Sequence, residues 1–173
     1  MGLFWTGVFD GTAFDGTAWT VLTDDDEGSA QASPQALPPG ALVVTIHDSD
    51  IGSVSYAPVE GDGDGDSDGG DRTAFVGFTP RSYFEDDAAP SADPDVEARG
   101  LAAWAGRYRG VTPTAEQVRA LLAADGDEFD ESDDPFVESK VAKLLGVLGV
   151  PVPEDLGGWG VDGLDSTERS WDR

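Results

Sequence analysis

An α+β fold is predicted for this chain, with an antiparallel sheet of about four to five strands packed by about three helices. Three observations carry the prediction. The β-type segments all begin before residue 80, the capped helical segments all follow residue 90, and turn signals separate the strands. Strands first and helices afterwards is the α+β order, and turn-length connections join antiparallel neighbours.

The first two strand segments are "GLFWTGVF" and "TAWTVLT", rich in aromatic and β-branched residues. Asp10-Gly11 and Asp15-Gly16 between them are turn signals, so the two strands suit a hairpin. "FDGTA" occurs at 9–13 and again at 14–18; two copies of five residues do not make a solenoid. Residues 24–40 are rich in Pro, Ser and Ala and read as a loop. "ALVVTIH", 41–47, is the strongest strand signal. "DSD" turns the chain, and 51–59 follows with Val54 and Tyr56 alternating with Ser53 and Ser55. Another strand starts at Arg72, with Phe75, Val76 and Phe78 as sheet core and Thr79-Pro80 as its end.

The helices announce their ends. Asp93-Pro94 is an N-cap followed by Pro at the first helical position. Val96, Gly100, Leu101, Trp104 and Tyr108 share a face, and Gly110 closes the helix. Thr112-Pro113 repeats the start signal, and Thr114 with Gln117 fits a capping box ahead of Val118, Leu121 and Leu122. Asp134-Pro135 caps the third helix. Its stripe is Val137, Val141, Leu144, Leu145 and Leu148, and Gly149 with Pro151 ends it. The tail, 154–173, is Gly-rich. All 173 residues are read as one domain.

The chain carries 35 Asp+Glu against 10 Lys+Arg, a formal net charge of -25. With 39% hydrophobic residues it is too apolar for a disordered acidic chain. That charge repels phosphate backbones and anionic lipid and attracts basic proteins. Without Cys there is no disulfide or thiolate metal site. No apolar run approaches the ~20 residues of a membrane span, and "MGLFWTGVFD" lacks the basic and apolar regions of a secretory signal. Gly2 and Thr6 fit a loose myristoylation pattern, but the bulky Phe4 and Trp5 and the charge oppose it. A cytoplasmic protein is expected.

Residues 60–72, "EGDGDGDSDGGDR", invite a calcium reading. Asp64, Asp66, Asp68 and Gly69 open like an EF-hand loop, yet position twelve, which needs a bidentate Glu, is Phe75. Counted from Asp62, position six is Ser67 and position twelve Thr73. The segment reads as a solvated loop, and no metal or other cofactor is expected. His47 is the only His, and it reads as a strand-end residue entering a turn rather than a general acid or base with Asp48 or Asp50. Nucleophile-elbow, P-loop and dinucleotide-binding motifs are absent, so a non-enzymatic protein is expected.

The candidate partner-binding residues are aromatics set among acids. "SYFEDD", 82–87, places Tyr83 and Phe84 before Glu85, Asp86 and Asp87. The acidic loop 125–134 surrounds Phe129 with Asp127, Glu128, Asp130 and Glu131. An apolar anchor within a ring of charge combines affinity with selectivity. By period Phe4, Trp5, Trp19, Phe75, Phe78, Tyr83, Phe84 and Trp104 read as mainly core, while Phe129 is equally an anchor. Loop 125–134 is expected to carry more binding than 60–72, which has five Gly and no aromatic and would forfeit more entropy on ordering.

The passage "TAFVGFTPRSYFEDDAAPSADPDVEARGLAAWA" (73–105) resembles immunity proteins of bacterial toxin/immunity pairs in style and element order. The resemblance extends over about half the chain, rests on no diagnostic motif and transfers no functional residue. It implies a cytoplasmic inhibitor that occludes a cognate, basic toxin or effector domain. Two alternatives stay open. One is a nucleic-acid mimic of the anti-restriction type. The other is a high-salt-adapted structural or accessory protein whose acidity has no specific partner.

Overall fold

The structure is a computed structural model describing residues 2–11, 19–22, 37–59, 70–89, 91–125 and 136–157. Five strands form one antiparallel sheet: β1 (Trp5–Phe9), β2 (Trp19–Leu22), β3 (Leu42–His47), β4 (Ile51–Tyr56) and β5 (Arg72–Gly77), in the order β2-β1-β3-β4-β5. β1 and β2 pair antiparallel, Gly7 facing Val21. The helices are α1 (Pro80–Phe84), α2 (Pro94–Arg109), α3 (Ala115–Arg119), α4 (Val137–Val147) and α5 (Glu154–Gly157).

Alternation decides the two faces of the sheet. Trp5 and Phe9, Leu42, Val44 and Ile46, Val54 and Tyr56, and Ala74 and Val76 point inward and are buried. Between them Thr6, Val8, Val43, Thr45, Ser53, Ser55, Thr73 and Phe75 point outward and are half-buried. This outer face bears no charge along those positions. Hydroxyl contacts link its strands, Thr6 to Thr45 (3.4 Å) and Ser55 to Thr73 (2.8 Å).

Helices α2 and α4 close the inner face. On α2, Gly100 lets the Tyr56 hydroxyl approach: a Cβ there would lie 2.1 Å from it. The hydroxyl donates to Glu97 (2.7 Å), which also pairs with Arg72 (3.1 Å). On α4 the whole stripe Val137, Val141, Leu144, Leu145 and Leu148 is buried. Gly77, at φ 80, permits Val137 to sit against the end of β5. Ala123 N–H, after α3, donates to Phe75 O (2.8 Å) and so covers part of the edge of β5.

The caps follow the sequence at α2 and α3. Asp93 accepts from Val96 N–H, and Thr114 with Gln117 forms the full capping box. Four expectations are corrected. Thr79-Pro80 does not merely end a strand. Thr79 accepts from Ser82 N–H and starts α1, an acceptor-Pro start like that of Asp93-Pro94 at α2. The N-cap of α4 is Phe136, which supplies no side-chain hydrogen bond, in place of Asp134-Pro135. The tail begins with the short helix α5, whose Leu156 is buried. Finally, Phe75 and Phe78 are only half-buried, and Phe4 and Phe84, expected in the core, are 63% and 57% exposed. Period sets a side chain on a face, and here the outer face is the one the large helices leave uncovered.

Parts of the predicted acidic loops are described. Leu37 N–H donates to both carboxylate oxygens of Asp71 (3.0 and 2.9 Å), which ties the end of 24–40 to the end of 60–72. Arg72 belongs to β5. Asp125 accepts from Ala92 N–H (3.2 Å) and lies 3.8 Å from Arg81. Residues 60–69, 126–135 and 158–173 lie outside the described residues.

Candidate aromatic-acidic docking site

The β3–β4 turn organises one end of the sheet. Asp48 and Ser49 adopt left-handed backbone conformations, φ 53 and 60, and Asp50 N–H donates to His47 O (3.2 Å). Asp and Ser tolerate this geometry because short polar side chains bond locally. Ser49 uses every polar group. Its N–H donates to Leu3 O (3.3 Å), and its carbonyl accepts from Val137 N–H (3.3 Å). Its hydroxyl accepts from Leu3 N–H (2.8 Å) and donates to the Glu138 carboxylate. Asp48 accepts from Gly2 N–H (3.0 Å). Glu138, 1% exposed, keeps its other oxygen without a hydrogen-bond partner. The turn therefore joins the residues ahead of β1, the start of α4 and, through Phe78 N–H to Asp50 O (2.9 Å), the end of β5.

On this base an aromatic cluster assembles from four places in the chain. His47 lies edge-to-face with Phe4 at 4.9 Å, 6.0 Å from Phe84 and 6.5 Å from Tyr83. Tyr83 contacts Phe84 at 5.0 Å and Phe78 at 6.0 Å. Aromatic pairs at such separations attract by quadrupole as well as by area. Beneath, Ile51 is buried although its pairing with His47 sets it on the outer face. Above, Phe84 is 57% exposed and His47 is exposed. Two solvent-facing Phe rings in one cluster are the kind of patch that interfaces use.

Acids surround the cluster. Glu85, Asp86 and Asp87 follow Phe84 and are exposed. Their loop is held in shape: Glu85 ends α1 at φ 51, Asp86 caps Ala88 N–H (2.9 Å), and Arg81 donates to Asp87 O (3.2 Å) and Ala89 O (2.8 Å). Among the described residues none of Asp48, Asp50, Glu85, Asp86 and Asp87 forms an ion pair. Elsewhere Arg72, Arg81 and Arg119 neutralise Glu97, Asp125 and Asp95. Among the described residues no group of three His, Asp or Glu could hold a metal ion, and no helix is long and apolar enough to cross a membrane.

The Tyr83 phenol is raised above its ordinary value of 10.0, first by desolvation and then by the carboxylates of Asp50 and Asp48. The folded chain thus favours the protonated phenol. That contribution to stability is intact below pH 10 and declines as pH climbs through the raised value. Asp50→Asn is expected to lower the Tyr83 midpoint in an alkaline NMR titration; an unmoved midpoint would separate Asp50 from the phenol.

Of the expected binding residues, the structure brings Glu85, Asp86 and Asp87 to the aromatic cluster. Asp127, Glu128, Phe129, Asp130 and Glu131 lie outside the described residues. Tyr83, expected in the core, is half-buried within the cluster. Sequence reasoning left out Phe4 as a surface residue, Asp48 and Asp50 as part of an acidic rim, and His47 as a cluster member. The only local signal was "IHDSD", whose turn chemistry masked its proximity to "SYFEDD". Comparison with known protein families, curated proteins and solved structures finds no match to this chain.

Proposed function

We propose that this chain is a non-enzymatic binding protein of the immunity type, which acts in the cytoplasm by occluding a basic toxin or nuclease domain. The observation that supports the reading is the cluster around His47: two exposed Phe rings beside five acids that form no ion pair among the described residues. The rings offer area that dehydrates on contact, and the acids draw in and orient a basic surface. Three of those acids sit on a hydrogen-bonded loop, so holding them in place on binding costs less than ordering a free chain would.

The test is to look beside the gene for a coding region for a basic effector domain and, where one stands there, to co-produce the two and measure association kinetics at two salt concentrations. Neutralising Glu85, Asp86 and Asp87 together, as Glu85→Gln, Asp86→Asn and Asp87→Asn, is expected to slow association roughly tenfold at low salt and to flatten its salt dependence. Unchanged kinetics would remove the acidic loop from the interface. Failure to bind or neutralise that domain would leave the acidity without a partner, as in a high-salt-adapted protein.

A further inference from the structure

The cluster has features beyond general acidity. Phe4 and His47 meet at 89°, so their faces are perpendicular, and Phe84 is tilted 62° to His47. Asp48 and Asp50 project from the turn that follows His47, and their charges reach the Tyr83 hydroxyl. Each carboxylate has about four acceptor positions. Gly2 N–H uses one of them on Asp48. The exposed His47 ring and the half-buried Asp48 and Asp50 thus sit at one turn, and the exposed Phe4 and Phe84 rings pack against His47.

We propose that Phe4, His47 and Phe84, with the carboxylates of Asp48 and Asp50, form a receptor for one arginine side chain of the basic partner. The proposal rests on the reading above and specifies its point of contact. A guanidinium is flat, so it stacks on a ring while its N–H edge donates to a carboxylate beside the ring. An ammonium is compact and strongly hydrated, stacks poorly and makes no two-pronged bond. The exposed Phe rings supply the stacking surface, and the two Asp, unpaired among the described residues, supply negative charge that no internal Arg or Lys there neutralises. Glu85, Asp86 and Asp87 lie at the rim and act at longer range.

The probe is N-acetyl-arginine amide, titrated into the intact chain at neutral pH, with the lysine and citrulline analogues alongside. The readout is the ring signals of Phe4, His47 and Phe84 in NMR. The arginine amide is expected to shift all three saturably in the millimolar range. The citrulline analogue, equal in shape but uncharged, should not shift them, and the lysine analogue should bind at least about threefold more weakly. Phe84→Ala and, separately, Asp50→Asn should each weaken the arginine amide about threefold or more, with the fold verified by an unchanged backbone spectrum. Equal binding of lysine or citrulline, or shifts confined to residues 85–87, would overturn the receptor. Should the arginine amide fail while the effector domain still associates with salt-dependent kinetics, the receptor is wrong and occlusion stands. Should the amide bind but the effector domain not, occlusion of that domain is wrong and the arginine site stands.

Discussion

Trp104→Ala is expected to lower the free energy of unfolding by about 3–5 kcal/mol, the range for removing a buried aromatic side chain. Trp104 is completely buried in the middle of α2, and its ring lies 5.8 Å from that of Tyr108. Its neighbours in the core, among them Leu101 and Ala105 on the same helix, are also fully buried. They are held by sheet pairing and by the caps of α2, so they collapse into the vacated volume only in part. The indole N–H is buried without an acceptor. Trp104→Phe removes that unsatisfied donor along with part of the ring and is expected to cost clearly less than the Ala variant. Leu144→Ala, on the facing stripe of α4, should cost about 2–5 kcal/mol by the same cavity argument. Chemical denaturation of the variants measures all three. A loss below about 1 kcal/mol for Trp104→Ala would mean that α2 does not pack on the sheet as described.

Phe84→Ala should separate binding from folding. With 57% of its surface exposed, Phe84 contributes little to the core, and its loss should change stability by no more than about 0.5 kcal/mol. Against the basic effector domain the same change should cost about 2 kcal/mol or more, about a 30-fold loss of affinity. The reasoning is that an anchor ring is wholly dehydrated only in the complex, and its acidic surroundings hold the partner close while that happens. The effect should appear mainly in dissociation, whereas neutralising Glu85, Asp86 and Asp87 acts on association. Calorimetry for stability and surface-based kinetics for affinity check the two halves. Full affinity in Phe84→Ala would place the contact elsewhere on the molecule.

Much of the fold was legible because its signals are local. β-branched content in "TAWTVLT", alternation in "SVSY", the Asp-Pro start of α2, the Thr114–Gln117 box and the stripe of α4 are each read from residues close together in the chain. α1 was legible too, in Thr79-Pro80, but the pair read only as the end of the preceding strand. Of the candidate site, the sequence showed the adjacent part, Tyr83 and Phe84 before three acids.

By itself, then, the sequence determined the strands-before-helices order, the antiparallel sheet, both ends of α2, the start of α3 and the buried stripe of α4. Tertiary structure alone decided which face of the sheet the large helices cover. It thereby decided that Phe4 stands out in solvent while Trp5, its neighbour, is buried. It also decided that residues 4, 47, 78 and 83–84 meet. The reason is that strand period assigns side chains to one face or the other without saying which will be covered. A cluster built across strands depends on register and on a turn held from three directions by Leu3, Phe78 and Val137.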